Sequence, residues 1–352
     1  MSWGTTGGPP GAPIRSRSLP GFICALPLSC TFLVQARLTE GNPVSRAAQY
    51  VFGKTNYLSG KPGKRRTAMG GLIRRAVMAA GATALVLAGT LTAAHASTTA
   101  PVPAGVEVSH MTYQPGMHLP ATPLPRLTPA HGTLTSQNWA GYVDVACRTC
   151  TLRFVTASFT LPSVNCARSP NGSLAGFWAG LDGVTGTTVE QIGAIAGCSR
   201  GAASYAAFYE MYPKDPVYFS GVSPGDAIKV SVYFNASTHR WQLRLSDMTT
   251  GGSISTAQRC PSGSRCRNAD AEVITEIPST RSGTTAPLAD FGQVRYRAIQ
   301  VTSQRGLKGA MTSNGQWTTH AIDMQDSAGH NLALPGSARA GQAFRVTWYA
   351  AS

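Results

Sequence analysis

The feature that most constrains this chain is a period. After residue 136 its apolar residues recur every second position, and no window shows a sustained 3.6-residue stripe. Ile228-Lys-Val-Ser-Val-Tyr-Phe234 and Arg240-Trp-Gln-Leu-Arg-Leu245 alternate cleanly around Asn235-Ala-Ser-Thr-His239, which predicts a hairpin. Arg153-Phe-Val-Thr-Ala-Ser-Phe-Thr-Leu161 mixes β-branched and aromatic residues and stops at Pro162. Thr249-Thr-Gly-Gly252 turns into Ser253-Ile-Ser255, and Ala343-Phe-Arg-Val-Thr-Trp-Tyr349 reads as a last strand. Successive side chains on a strand point to opposite faces, so each segment has one face for a core and one for something else. The fold class that follows is all-β: one antiparallel β-sandwich or jelly roll.

Charge divides the chain before it says anything about partners. Residues 1–96 contain eleven Lys/Arg and one acid, whereas residues 97–352 contain nineteen and fourteen. Most of the formal +15 therefore belongs to a leader, and the remaining arginines are scattered singly. That pattern lacks the basic runs of a phosphate-tracking surface, so nucleic acid is not expected as a partner.

Within the leader, Lys61, Lys64, Arg65, Arg66, Arg74 and Arg75 precede an apolar stretch from Ala76 to Ala94. Ala94-His-Ala96 follows as a small-x-small cleavage site. Residues 69–96 read as a secretory signal peptide starting at Met69, and 1–68 as a doubtful N-terminal extension. A membrane-spanning helix over 76–93 is the competing reading. The Ala/Gly/Thr content and the cleavage site favour removal, with no stable membrane association afterwards. Residues 97–133, with Pro101, Pro103, Pro115, Pro120, Pro123, Pro125 and Pro129, read as a pro-segment or linker, and 134–352 as the β domain. Export makes disulfides the default for the six cysteines after the leader. Cys147 with Cys150 and Cys260 with Cys266 are close enough for local staples, which leaves Cys166 with Cys198. A zinc or redox reading of Cys147-x-x-Cys150 lacks a second pair, a nearby His or a βαβ pattern.

Glu276 sits inside the apolar, strand-like run Ala271-Glu-Val-Ile-Thr-Glu-Ile277, where a carboxylate costs free energy unless it is paired or used. Gln191 has a comparable setting in Thr188-Val-Glu-Gln-Ile-Gly193. Alternation puts Glu272, Ile274 and Glu276 on one strand face. It does the same for Phe208, Glu210 and Tyr212, and for Trp178, Gly180 and Asp182, and it turns Glu190 away from the side Gln191 faces. Acids and aromatics on one sheet face suit a hydrolytic groove; taken singly, each could be an ordinary solvated position. His-Glu-x-x-His, phosphate-loop and paired Asp-Thr/Ser-Gly motifs are absent from the sequence. Gly197-Cys-Ser-Arg-Gly201 matches a serine-hydrolase string but has no strand-to-helix context.

Asn138-Trp-Ala-Gly141, Trp178-Ala-Gly-Leu-Asp-Gly183, Glu190-Gln-x-Gly193, Tyr209-Glu-Met-Tyr-Pro213 and Ala271-Glu-x-Ile-x-Glu276 occur in the order found in the glutamic peptidases, or eqolisins, which the chain resembles from about Ser136 to at least Gly292. The resemblance implies a two-sheet sandwich and a secreted, acid-acting endopeptidase of the bacterial type. It makes Gln191 and Glu276 the catalytic pair, with no metal, cofactor or covalent intermediate. Trp139, Trp178, Asp182, Glu210 and Tyr212 match positions that line or support the cleft. Phe208 and Met211 depart from the fungal pattern, which carries Trp there. Protein or peptide substrates and a monomeric state are expected. The rivals are a lectin-like sugar-binding sandwich and a glycosidase using paired carboxylates such as Glu210 and Glu276.

Overall fold

The computed structural model describes residues 100–120, 123–130 and 133–352, with only the backbone of Pro129 and Ala130. The expected extension (1–68) and signal peptide (69–96) lie outside them. The described residues form nineteen strands and no helix. In chain order the first are β1 (Val106–Ser109), β2 (Thr112–Tyr113), β3 (Thr128–Ala130), β4 (Thr133–Ser136), β5 (Trp139–Ala146) and β6 (Leu152–Thr160). Then come β7 (Ser173–Leu181), β8 (Val189–Ser199), β9 (Ala202–Tyr212), β10 (Val217–Ser220), β11 (Ala227–Asn235), β12 (Arg240–Asp247) and β13 (Ser253–Gln258). The chain closes with β14 (Asp270–Glu276), β15 (Gln293–Ser303), β16 (Lys308–Gly309), β17 (Trp317–Gln325), β18 (Asn331–Pro335) and β19 (Phe344–Trp348).

These strands make one continuous hydrogen-bonded ribbon with two arms. The first runs β1–β13–β12–β11–β6–β15, and the second β2–β10–β9–β8–β7–β14–β5–β17. β19 and β18 join β15 to β17. All these pairings are antiparallel; β4, which carries β3, pairs with β17 in parallel. The predicted hairpin is β11–β12, with Phe234 opposite Trp241. Strands β6, β11 and β12 of the first arm lie against β7, β8 and β14 of the second.

Alternation explains the core between the arms. Val155, Ala157 and Phe159 of β6, Ile228, Val230 and Val232 of β11, and Leu243 and Leu245 of β12 meet Phe177, Ala179 and Leu181 of β7 and Ile192, Ala194 and Ala196 of β8. On β11 and β12 the intervening residues are exposed or half-buried, as one covered face requires. The inner strands of the second arm differ. Every residue of β14, all of β8 but Ser199 and all of β7 but Leu174 are buried. Their second face is covered by a separate apolar cluster containing Trp139, Trp178, Phe208, Tyr218 and Ile274.

Disulfides join Cys147 to Cys150, Cys166 to Cys198 and Cys260 to Cys266, the pairing that spacing predicts. Each loop they close removes freedom from the unfolded chain, typically worth about 2–4 kcal/mol. Part of the Pro-rich stretch joins the ribbon rather than lying free of it. β1 extends the edge at β13, and β2 the edge at β10. Pro101 and Pro103 precede β1, Pro115, Pro120, Pro123 and Pro125 lie between β2 and β3, and Pro129 is in the outer strand β3, where a missing ladder donor is tolerated.

Candidate active site

The second covered face carries the residues singled out above. In the ladder Glu276 stands opposite Gly176 of β7 and Trp139 of β5. Gln191 stands opposite Gly180 of β7 and Glu210 of β9. The amide and the acid therefore flank β7 from opposite sides, four positions apart along it, with Trp178 on the same face between them. Glycines make room for that indole. A Cβ added at Gly193 would land 2.5 Å from Trp178 Cβ, and one at Gly180 3.0 Å from Trp178 Cζ3. The motif glycines are thus required by the close approach of a tryptophan.

Glu276 is held by two neutral donors. Trp139 Nε1–H donates to Oε1 at 2.9 Å, and Trp178 Nε1–H to Oε2 at 2.9 Å. The two indoles meet edge to face, with centroids 4.9 Å apart. Only 4 % of Glu276 is exposed. Burial raises its pKa to about 7, against the two indole bonds, which favour the charged form. Gln191 Nε2–H donates to Glu210 Oε2 at 2.5 Å. Gln191 Oε1 and Glu210 Oε1 are buried and accept no hydrogen bond from the protein, so acceptor capacity is left over beside the amide. Burial first, and then the charge of Glu276, push the Glu210 carboxyl well above its ordinary range. The two acids therefore feel each other, and Gln191 touches one of them. Tyr218 of β10 faces both: burial, then Glu210, then Glu276 raise its hydroxyl pKa. Sequence reasoning missed Tyr218, because Val217-Tyr-Phe-Ser220 is a short strand with no motif; its place emerges only from the pairing of Tyr218 with Phe208.

The other expected residues fall in two places. Tyr212 is half-buried at the rim of the cluster, while Trp139, Trp178 and Glu210 are inside. Asp182 departs from the alternation that grouped it with Trp178. β7 ends at Leu181, and Asp182 turns into the left-handed region with φ +66°. Its oxygens accept the backbone N–H groups of Arg267, Asn268 and Ala269 at 2.7–2.8 Å. It thereby anchors the loop that leads into β14. Glu190, turned away from Gln191, lies in the same acidic group and is fully buried. No side chain of this face is solvated in the way single-residue reasoning allows; Gln191, Glu210 and Glu276 are each at most 4 % exposed.

An all-β chain with a buried carboxyl between two indoles, and an amide–carboxyl pair across one strand, falls into the class of carboxyl-dependent hydrolases. Comparison with known proteins makes this specific. The Peptidase A4 family model matches residues 137–346. Aspergillopepsin-2 of Aspergillus niger is 31 % identical over 189 residues, covering 48 % of this chain and 65 % of that protein. Scytalidopepsin B of Scytalidium lignicola is 30 % identical over 217 residues, covering 59 % of this chain and 78 % of that one. A solved scytalido-glutamic peptidase with a transition state analog inhibitor has the same fold: TM-score 0.51, 24 % identity, over 60 % of this chain and 98 % of that one. The chain belongs to the Peptidase A4 family, the glutamic endopeptidases, and is a hydrolase by class.

Proposed function

We propose that this protein is a secreted, acid-acting endopeptidase that cuts peptide bonds with Glu276 and Gln191 and one activated water. The observation that carries the reading is the clamp on Glu276, in which both oxygens are held by N–H groups that cannot take its proton. On this reading the two arms are the layers of a concanavalin-like sandwich, and the cluster face is the substrate groove. Glu276 accepts a proton from water as the water oxygen bonds to the carbonyl carbon. It then returns that proton to the amide nitrogen as the C–N bond breaks. The second N–H of Gln191, not used by Glu210, donates to the developing oxyanion. Trp139, Trp178 and Tyr212 supply groove walls, Glu210 orients the amide, and Asp182 supports the strand that bears Glu276. Residues 97–133 act as a pro-segment removed on maturation, and the mature enzyme is a monomer needing no metal.

The acidic working range follows from the causes of the Glu276 shift. Burial is the largest, and the groove is covered here. Opening it weakens that cause while the indole donors stay, so the carboxyl moves down from about 7 towards the ordinary acid range. Protein digestion at about pH 3–5 should vanish in Glu276→Gln. Survival of full proteolysis in that variant would overturn the reading. A glycosidase would instead depend on Glu210 and be indifferent to Gln191→Ala.

A further inference from the structure

The described part of the Pro-rich stretch crosses the groove. Gln114 N–H donates to Tyr218 O at 2.9 Å on one side. Gly116 O accepts from Arg281 Nη2 at 3.4 Å, in the loop that follows Glu276. Pro123 O accepts from Asn138 Nδ2 at 3.2 Å, next to Trp139. Gln114–Met117 make a tight turn, in which Met117 N–H donates to Gln114 O at 3.1 Å, and after it burial alternates as in an extended chain: Met117 is half-buried, His118 exposed and Leu119 only 9 % exposed. Leu119 belongs to the apolar cluster of Trp139, Trp178, Phe208, Tyr218 and Ile274, with Met117 packed against it. Pro120 comes next.

We infer, resting on the peptidase reading above, that residues 117–120 form a proline-guarded substrate mimic. Leu119 occupies the site that takes a bulky aliphatic side chain of the substrate, and Pro120 keeps the bond after Leu119 from being cut. In a cleavable peptide, water oxygen bonds to the carbonyl carbon, the C–N bond breaks, and the proton held by Glu276 goes to nitrogen. The nitrogen of Pro120 carries ring carbon where other residues carry hydrogen, and its φ is locked. The ring fills the space in which the leaving amine must turn and be protonated, so the segment binds and is not consumed. The same pocket sets specificity: Leu or Met is accepted, and Asp is rejected because it would bury a charge with no partner.

Two variants of the full chain test this. After acidification, Pro120→Ala should be cut between residues 119 and 120. Mass spectrometry should find a new C-terminus at Leu119, absent when Glu276→Gln is added. Unprocessed Leu119→Asp should cleave a reporter peptide about tenfold faster than the unprocessed parent, since the buried leucine contact is gone. With mature enzyme, a reporter bearing Leu at the scissile position should be cut about tenfold better than one bearing Asp. The proposal falls if Pro120→Ala digests the reporter yet stays intact after Leu119, or if Leu119→Asp is no faster. Retained reporter cleavage in Glu276→Gln would instead sink the peptidase reading, so the two failures are separable.

Discussion

Two groups of buried acids sit a few residues apart on the same strands, and their surroundings make them opposites. Glu276, beside Gly176 of β7, and Glu210, at the register of Gly180, are served by side-chain N–H donors: two indoles and an amide. Around the C-terminal end of β7 lie Asp182, Glu190, Asp270 and Glu272. There the aspartates take backbone N–H groups, Asp182 from 267–269 and Asp270 from Val184 and Thr185. Neither oxygen of Glu190 or of Glu272 meets a donor of the ordinary kind. Their neighbours are Asp182 and Asp270, and a carboxyl beside a carboxylate is satisfied only by keeping its own proton and donating it. Burial, and then the neighbouring aspartates, hold both glutamates well above their usual range. On the proposed mechanism, Glu276 exchanges protons and is held by donors that leave its proton free to move. The glutamates beside Asp182 and Asp270 instead keep theirs.

The comparison breaks first at Glu276, the proposed catalytic group. Glu276→Gln should cost about 10²–10⁴ in kcat, the usual weight of acid–base catalysis, with the melting temperature little changed. Gln191→Ala should cost about 10²–10³ in kcat with a smaller change in KM, as loss of an oxyanion donor does. Trp178→Phe removes one donor to the carboxylate. It should raise the Glu276 pKa, moving the acidic limb of kcat/KM to higher pH by about one unit.

The acidic group is tested by stability instead. The folded-state pKa values of Asp182, Glu190 and Glu272 are raised, so their contribution is present at low pH and is lost as pH rises through the unfolded values towards the folded ones. Asp182, at about 6 against 3.8 unfolded, should alone withdraw about 3 kcal/mol between those pH values. The protein should therefore unfold more readily in denaturant at pH 7 than at pH 4. Glu190→Gln, neutral and still able to donate to Asp182, should flatten that dependence and leave activity in acid unchanged. If stability rose with pH instead, the proton-locked description of this end would fail.

Stability in acid has a second source in where the other acids lie. Ten of the fourteen acids after residue 96 are buried, so the outer surface offers few carboxylates for acidification to neutralise. Composition showed a low charge density; only the fold showed that the acids are inside.

Period-two alternation was enough to establish the all-β class and the β11–β12 hairpin, and cysteine spacing the disulfide pairing, because those depend on neighbours in the chain and on one covered face. The motifs of residues 138–276 nominated Glu276, Gln191, Trp139, Trp178 and Glu210, and the fold brings these five together on one buried face. Alternation could not place Asp182, since a single left-handed residue at a strand end breaks the parity rule. Nor could it anticipate Tyr218 or Leu119, which reach the groove through pairings and packing with segments far off in sequence. Whether a buried carboxyl is clamped by indoles or locked against another acid depends on which strands lie side by side. That is decided by long-range packing, and the local pattern of residues carries no record of it.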